Sequence, residues 1–378
     1  MRVTTLSYAT STGWSEPLPE WDSSRTLVLV FAAPEYVESD IFAEIAATYP
    51  NSVVVGCSTA GEIMGPVMSD HTLSVAVVRF ESTDIRLAWE LIDSATESRE
   101  VGHRIGQQLD DPDLKAALIF SEGLKVDGTG LVHAVSAAVG EDVILTGGLA
   151  GDGQRFETTW VLADGKPTLG AVSAVGFYGS SVRMGYGVKG GWSIFGPERT
   201  VTRSEGTVLY ELDRKPALDL YEQYLGDLAT DLPASGLLFP LAIRQPGTDQ
   251  NLVRTILAID RKTRSLTFAG DIPTGSMARL MQANLDHIIE GAETAAIQAA
   301  ASGAGQGEML AVVMSCVGRR MLLADRTEEE LEFAWDALSE GTSMIGFYSY
   351  GELSPHDGGT CELHNETLVM ATIGEVVA

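Results

Sequence analysis

Eight side chains in the last third of the sequence could bind or react with a small molecule. They are, in chain order, Cys316, Arg319, Arg320, Tyr348, Tyr350, Glu352, His364 and Asn365. An arginine can clamp a carboxylate with two parallel N–H···O bonds, and Glu352 could bind an amine. Two phenols on one face of an extended segment could line the pocket between these charges. The combination suits an amino acid or a similar zwitterion, so we take the eight residues as the candidate ligand site.

Each of these residues also has a purely structural interpretation, which the sequence leaves open. The adjacent arginines could pair with neighbouring acids. Cys316 could be a small buried residue, and the two tyrosines could be an aromatic pair at the edge of the core. His364 and Asn365 could hydrogen-bond to their own backbone.

Two further kinds of chemistry remain as alternatives. Cys316 could act as a nucleophile with His364 as its base, which needs a lowered thiol pKa and a short distance. His103, His133 and His287 lie on predicted helices and could each offer one axial nitrogen to haem. No C-x-x-C-H, G-x-S-x-G, Walker loop or paired CxxC metal motif occurs, so we predict no enzyme, no metal and no bound cofactor, with haem kept as an alternative.

A second pattern places an acid directly after a glycine in three turns. The pairs are Gly61-Glu62, Gly151-Asp152 and Gly351-Glu352. Because ligand groups often stand at strand ends in α/β folds, Glu62 and Asp152 are secondary candidates for binding a cation. Alternatively, each acid accepts hydrogen bonds from backbone N–H groups and holds its own turn.

These turns belong to a unit of strand, helix, strand, turn and strand that recurs three times. The copies begin near Thr26, Lys115 and Met309, and each second strand ends in a glycine shortly before the turn. Continuous apolar strands separated by helices predict sheets covered by helices. The predicted helices of the three copies are Ile41–Thr48, about Gly130–Val139 and about Thr327–Leu338, and Cys316 to Arg320 forms a strand-end loop.

Other segments add helices and a hairpin between the copies. We predict helices at Glu100–Leu109, Asp219–Leu225 and Ser276–Ala301, a strand at Ile85–Ile92, and a hairpin over Leu252–Phe268. The predicted fold class is α/β with mixed sheets (α+β), in which the repeated units form two related sheet domains with outer helices. The predicted division is an N-terminal segment 1–25 and two domains at 26–217 and 218–378.

Composition limits the partners and the compartment. The 378 residues include 52 acids against 25 Lys and Arg, a net charge of −27, which repels nucleic acid and anionic membranes. No apolar stretch approaches the roughly 18 residues of a membrane span. Three cysteines fit a reducing compartment, so we predict a cytoplasmic protein that binds neither nucleic acid nor membrane.

Several motifs together resemble the FIST domains. Gly56–Ile63 (GCSTAGEI) and Gly147–Asp152 (GGLAGD) resemble the N-terminal FIST domain, and Leu209–Leu225 resembles the junction between the two FIST domains. Three later motifs resemble the C-terminal FIST domain: Ser315–Arg320 (SCVGRR), Gly346–Leu353 (GFYSYGEL) and His364–Leu368 (HNETL). The resemblance extends from about Thr26 to the C-terminus.

The resemblance implies an intracellular sensor of small ligands, with amino acids among those proposed. Family members often stand beside kinase, cyclase or receptor modules, whereas this chain has no recognisable output module. It would therefore signal through a separate partner such as a histidine kinase, a cyclase or a receptor, or serve as a ligand-free scaffold for a kinase. One branch of the family is described as haem-binding nitric-oxide sensors, which is the source of the haem alternative.

Overall fold

The computed structural model of the chain describes residues 1–248, 251–303, 305, 307–355 and 359–376. Within these residues the strands form four sheets. Helices and mixed sheets occur together, so the predicted α+β class is confirmed. In this described part of the chain every helix is too short or too polar to cross a bilayer.

The first repeat builds a sheet around two parallel strands joined by a helix. Its elements are β1 (Arg2–Ala9), β2 (Gly13–Trp14), β3 (Thr26–Ala32), α1 (Ile41–Thr48), β4 (Val53–Ser58), β5 (Glu62–Met64), β6 (Val67–Ser69) and β7 (Leu73–Arg79). Every residue of β3 is buried, as expected for an apolar strand covered on both faces. The segment 1–25 contributes β1, which pairs antiparallel with β7 and so belongs to this sheet.

The second repeat follows the same plan. Its elements are β8 (Asp84–Leu91), α2 (Ser98–Leu109), β9 (Leu114–Ser121), α3 (Gly128–Val139), β10 (Ile144–Leu149), β11 (Trp160–Ala163), β12 (Lys166–Leu169) and β13 (Ala171–Tyr178). The side chain of Asp127 accepts a hydrogen bond from the N–H of Gly130 and caps α3. The two predicted helices of this repeat are therefore present and begin two residues earlier than expected.

The fourth sheet is inserted before the third repeat. After β14 (Val182–Lys189) come β15 (Trp192–Glu205), β16 (Val208–Leu212), β17 (Lys215–Pro216), α4 (Ala217–Leu225), β18 (Leu241–Arg244), β19 (Leu252–Arg254), β20 (Ile256–Asp260), β21 (Ser265–Phe268) and β22 (Met277–Ala283). The predicted hairpin is present as the antiparallel pair β20–β21.

The third repeat completes the chain. Its elements are α5 (Leu285–Ser302), β23 (Met309–Cys316), α6 (Val317–Leu323), α7 (Thr327–Asp336), β24 (Thr342–Ser349), β25 (Gly351–Pro355), β26 (Cys361–His364) and β27 (Leu368–Glu375). Short 3-10 turns occur at Pro34–Glu38, Ala95–Glu97, Gly226–Asp231, Ala234–Leu238 and Ala324–Arg326.

Two predicted elements are wrong. The first part of the predicted helix Ser276–Ala301 is strand β22, which pairs with both β15 and β18. The helix begins only at Leu285, because the side chain of Asn284 caps it by accepting hydrogen bonds from the N–H groups of Asp286 and His287. The predicted loop after Cys316 is instead helical, as α6.

Each repeat also sends a hairpin into the sheet of another repeat. The three strand orders are β12-β11-β4-β3-β7-β1-β2, β26-β25-β10-β9-β13-β8 and β14-β27-β23-β24-β5-β6. Thus β11–β12 of the second repeat extends the first sheet, β25–β26 of the third extends the second, and β5–β6 of the first extends the third. The exchange forms a closed cycle, and the rings of Phe31, Phe120 and Phe347 meet at its centre, with centroids 4.7 to 6.2 Å apart.

The glycine predicted to end each second strand lies inside it, two or three residues before the end, and its presence there has a steric reason. A Cβ on Gly56, Gly147 or Gly346 would lie 1.8, 1.9 or 2.1 Å from a carbonyl oxygen of the neighbouring strand. Only glycine allows the parallel strands to approach so closely. The recurring position of these glycines in the sequence therefore reflects the close packing of two parallel strands. It also aligns the three repeats residue by residue.

Candidate functional site

The first strand of each repeat ends in the same hydrogen bond. The N–H groups of Ala33, Glu122 and Cys316 donate to the carbonyl oxygens of Thr72, Ala171 and Thr367, at 3.0, 2.8 and 3.0 Å. Ala33, Glu122 and Cys316 therefore occupy one equivalent position. A thiol stands there in the third repeat alone, so the three strand ends differ in chemistry although they share a backbone.

The residue before each of those carbonyl groups has a left-handed backbone. The φ angles are 61° for His71, 57° for Gly170 and 58° for Glu366. Glycine adopts this conformation without strain, whereas another residue is held there by its surroundings at about 1–3 kcal/mol. Glu366 is fully buried. A buried, strained glutamate is a feature found at functional sites, and sequence reasoning did not single it out.

The carboxylate of Glu366 is only half satisfied. The hydroxyl of Thr255, between β19 and β20, donates to Oε1 at 2.8 Å. Oε2 is buried and accepts no hydrogen bond from the described residues. Gly318 leaves room for the carboxylate, since a Cβ there would lie 2.8 Å from both oxygens. Burial raises the pKa of Glu366 to about 7, although the hydrogen bond from Thr255 and the positive charge of Arg319 both lower it. Ionising this carboxyl is therefore unfavourable even with Arg319 nearby.

Glu352 lies close to Glu366 and has its partners within the protein. Its carboxylate accepts hydrogen bonds from the hydroxyl of Ser349 at 2.6 Å and from the hydroxyl of Thr367 at 2.9 Å. The N–H of Thr367 lies farther away, at 3.4 Å. Burial raises the pKa of Glu352 to about 8 despite these bonds, and the nearby Glu366 raises it further.

The first repeat contains the same arrangement around Glu62. Its carboxylate accepts hydrogen bonds from the hydroxyl of Thr59, and from the N–H and hydroxyl of Thr72 at 3.0 and 2.9 Å. Burial raises the pKa of Glu62 to about 7. Glu62 and Glu352 thus each join the turn of their repeat to the start of its last strand.

The second repeat uses its acid differently. The carboxylate of Asp152 accepts hydrogen bonds from the N–H groups of residues 156, 157 and 158, at 2.8 to 2.9 Å, and from the hydroxyl of Tyr350. The ring of Tyr350 stacks on Phe156, with centroids 4.4 Å apart. Because Ala171 replaces the threonine of the other repeats, the acid binds its own loop instead.

Cys316 is poorly suited to act as a nucleophile. The thiol is only 5% exposed. Burial raises its pKa well above the ordinary value of 9, and the carboxylates of Glu352 and Glu366 raise it further. His364, the base of the enzyme alternative, places Nε2 3.0 Å from the carbonyl oxygen of Ser354. The environment therefore favours a neutral thiol.

The two adjacent arginines have separate partners. Arg319 is fully buried, and its Nε donates to Glu330 at 2.7 Å, while Nη2 donates to the carbonyl of Ile288 at 2.8 Å. Glu330 also accepts hydrogen bonds from Ser315 and Tyr348, both at 3.1 Å. This network joins α5, β23, α6, α7 and β24.

Arg320 instead reaches the first repeat. It forms a bidentate pair with Asp70, at 2.9 and 2.6 Å, and donates to the carbonyl of Ala60. The eight predicted residues therefore lie in several neighbouring clusters. Cys316 and Glu352 lie beside Glu366, Arg319 and Tyr348 bind Glu330, Tyr350 binds Asp152, and Arg320 binds Asp70.

The first repeat shows an open counterpart of the Glu366 position. There, His71 is 79% exposed and forms an ion pair with Glu35, which occupies the place of Gly318. A cavity of about 430 Å³ opens beside the pair. Its lining residues are Ala9, Thr10, Ser11, Glu35, Tyr36, Glu38, Ser39 and His71. The third repeat differs because the fourth sheet covers the equivalent position.

Three unsatisfied polar atoms lie where the fourth sheet meets the third repeat. Asn365 Oδ1, Glu366 Oε2 and Trp192 Nε1 are buried and make no hydrogen bond within the described ranges. Trp192 begins β15 and lies under the guanidinium of Arg319, 5.8 Å from it. We call Cys316, Glu366, Asn365, Trp192 and Thr255 the junction site. Buried polar atoms without partners are rare in proteins, so this donor and these two acceptors make the junction site a candidate place for a polar ligand. Other unsatisfied buried atoms are scattered elsewhere in the described chain.

The histidines considered for haem lie apart on three helices. His103 and His287 are exposed on α2 and α5. His133 on α3 is half-buried and lies 2.9 Å from Glu362, and the hydrogen bond to that carboxylate raises its pKa. Among the residues that the structure describes, no three His, Cys, Asp or Glu side chains are grouped closely enough to hold a metal ion.

Comparison with known proteins identifies two family domains. The FIST N domain matches residues 26–215 and the FIST C domain matches residues 217–355. None of the curated proteins matches the chain. Among solved structures, cyanuric acid hydrolase from A. caulinodans is 10% identical over 93% of this chain and 90% of its own, with a TM-score of 0.32. A score this low carries no argument about fold or activity.

Proposed function

Because this chain belongs to the FIST family, whose domains are generally sensors in signal transduction, we propose that it is an intracellular sensor of a small molecule. The proposed ligand is an amino acid or a similar zwitterion. The proposed output is a separate signalling partner, such as a histidine kinase, a cyclase or a receptor.

The observation that carries the proposal is the unsatisfied carboxylate oxygen of Glu366. An ionised carboxylate buried without a cation is strongly unfavourable. The ammonium group of a ligand would supply the missing hydrogen bond and would add its positive charge to that of Arg319. The Oδ1 atom of Asn365 is a second acceptor for the same group.

The carboxylate of the ligand would bind on the other side of the junction site. The indole N–H of Trp192 is a buried donor without an acceptor among the described residues. The ligand carboxylate would accept this hydrogen bond, with the positive charge of Arg319 nearby. Cys316 and Glu352 would form the adjoining wall.

Ligand entry would require a conformational change, which gives the proposal its signalling step. Glu366 is fully buried and Cys316 is 5% exposed, so the fourth sheet must separate from the third repeat. The chain crosses between them at Gly191 and Asn284, and a Cβ on Gly191 would lie 2.3 Å from the backbone of Ile288. After entry, a ligand bound by groups of both the fourth sheet and the third repeat would favour the closed arrangement and shift the population towards it, and the partner would detect the fixed position of the sheet.

A thermal-shift screen tests the proposal with three groups of probes: free amino acids, amines that lack a carboxylate, and carboxylic acids that lack an amine. We expect one or more amino acids to raise the melting temperature, since a ligand at 100 times its Kd stabilises by about 2.7 kcal/mol. Glu366→Gln should abolish the shift, whereas His71→Gln, at the equivalent position of the first repeat, should retain it. The proposal fails if no zwitterion stabilises the wild type, or if Glu366→Gln binds as tightly as the wild type.

A further inference from the structure

In two of the sheets, side chains form hydrogen bonds with the free backbone groups of the outer strand. At the edge of the second sheet, Gln108 accepts from the N–H of Trp89 in β8 at 3.3 Å. At the edge of the third sheet, Gln298 accepts from the N–H of Val188 at 3.3 Å, and Ser302 bonds to both backbone groups of Tyr186. These contacts occupy backbone groups that could otherwise pair with another strand.

The first part of β15 lacks such closure. Residues 192–195 pair with β22 on one side, and β16 pairs with β15 only from Val201 onwards. Across the described chain, no backbone–backbone hydrogen bond reaches the other side of residues 192–195, and the hydroxyl of Ser193 lies 3.5 Å from Nδ1 of His287. Ile194 and Phe195 in this stretch are 47% and 41% exposed. Pro197, which has no N–H, ends the stretch that could pair.

The charge of the chain is distributed unevenly around this edge. Residues 192–283, which form the fourth sheet, contain 10 basic and 11 acidic residues, a net charge of −1. The rest of the chain contains 15 basic and 41 acidic residues, a net charge of −26. Two copies therefore repel one another over most of their surface and least at the fourth sheet.

We propose that a second copy of this chain docks at this edge, with residues 193–195 of the two copies paired antiparallel about a twofold axis that sets Ile194 of one copy opposite Ile194 of the other. An antiparallel pair of identical strands is self-complementary, so one surface supplies both halves of the contact. The pairing joins two four-stranded layers, β19-β18-β22-β15 and its copy, into one sheet. It also covers Ile194 and Phe195, which are otherwise exposed to water.

Sedimentation velocity of the full chain, from about 1 to about 100 μM, tests this proposal. We expect a reversible dimer that Ile194→Lys weakens at least about tenfold, because the new charges face each other across the contact. Ile297→Lys is the matched control, since Ile297 is 52% exposed on α5, away from the edge. It should leave the dimer unchanged, and circular dichroism should report the same fold for all three proteins.

Salt dependence and hydrogen exchange distinguish this contact from others. Raising the salt concentration should strengthen the dimer, because screening shortens the reach of repulsion from about 10 Å at 0.1 M to about 3 Å at 1 M. Amide exchange at residues 193–195 should slow as the protein concentration rises. A wild type that is monomeric throughout the range overturns the proposal, as does a dimer that Ile194→Lys leaves intact. A monomer that instead captures a partner's strand at this edge also overturns it.

Discussion

Replacing Glu366 by glutamine should stabilise the ligand-free protein, and only at the higher pH. Burial raises the pKa of this carboxyl from its ordinary value of 4.5 to about 7. Between these values the folded protein keeps a proton that the unfolded chain releases, so the free energy of unfolding falls as the pH rises. Above pH 7 the free energy of unfolding is lower by about 3 kcal/mol, because each tenfold change in the protonation equilibrium corresponds to about 1.4 kcal/mol.

Glutamine keeps the shape of the side chain and an acceptor for Thr255, but it does not ionise. Glu366→Gln should therefore match the wild type near pH 4 and exceed it by about 3 kcal/mol near pH 8. Urea unfolding followed by tryptophan fluorescence at both pH values measures the difference. With a ligand at about 1,000 times its Kd the order should reverse, because only the wild type binds and its gain of about 4.1 kcal/mol exceeds this difference.

Glu375 is the matched control for this experiment. Burial alone would raise its pKa, but hydrogen bonds from Glu81, Thr83 and Ser82 outweigh burial and lower it to about 2. Its contribution to stability is present above pH 4.5 and is lost as the pH falls towards 2, so Glu375→Gln should destabilise the protein near pH 8. If Glu366→Gln instead destabilises the protein equally at both pH values, the reasoning about a strained, uncompensated carboxylate is wrong.

Three further predictions follow from buried contacts. Glu330→Ala should lower the free energy of unfolding by about 3–5 kcal/mol, because it leaves the buried guanidinium of Arg319 without its carboxylate partner. Asp70→Ala removes the partner of Arg320 in a half-exposed pair and should change the free energy of unfolding by less than about 1 kcal/mol. An equal loss in the two variants, measured by urea unfolding, would contradict this. Gly56→Ala should prevent folding or lower the free energy of unfolding by at least about 3 kcal/mol. Gly190→Ala, whose Cβ would meet nothing closer than 3.5 Å, should express as folded protein, and circular dichroism of the two variants tests the difference. Cys316 should react with a disulfide reagent near pH 8 only after denaturation, and rapid labelling of the native protein would instead support the nucleophile alternative.

Local signals in the sequence were sufficient for most elements. The buried strands and α1 follow from runs of apolar residues bounded by glycine and polar turns. The start of α5 was missed because β22 is also apolar, and only its pairing with two strands distinguishes it from the first turns of a helix. The N-terminal strand was missed for a similar reason, since its partner β7 lies more than 60 residues away.

The candidate site was predictable only in part. The sequence predicts that Cys316, Arg319 and Glu352 lie at strand ends. It does not predict that Arg319 forms a buried ion pair with Glu330. Glu366 could have been found by aligning the repeats, since it takes the place of Gly170. Trp192 could not, because the fourth sheet brings it to the site from a distant part of the chain.

The cyclic exchange of hairpins affects how the protein can be divided experimentally. The residues matched by the FIST N domain supply β5–β6 and β14 to the third sheet, while those matched by the FIST C domain supply β25 to the second, and β26 lies just beyond that match. A fragment that ends near residue 216 would leave these strands without partners and expose sheet edges to aggregation. The two family domains are therefore interdependent folding units, and co-expression of both fragments is the route by which either would be obtained in native form.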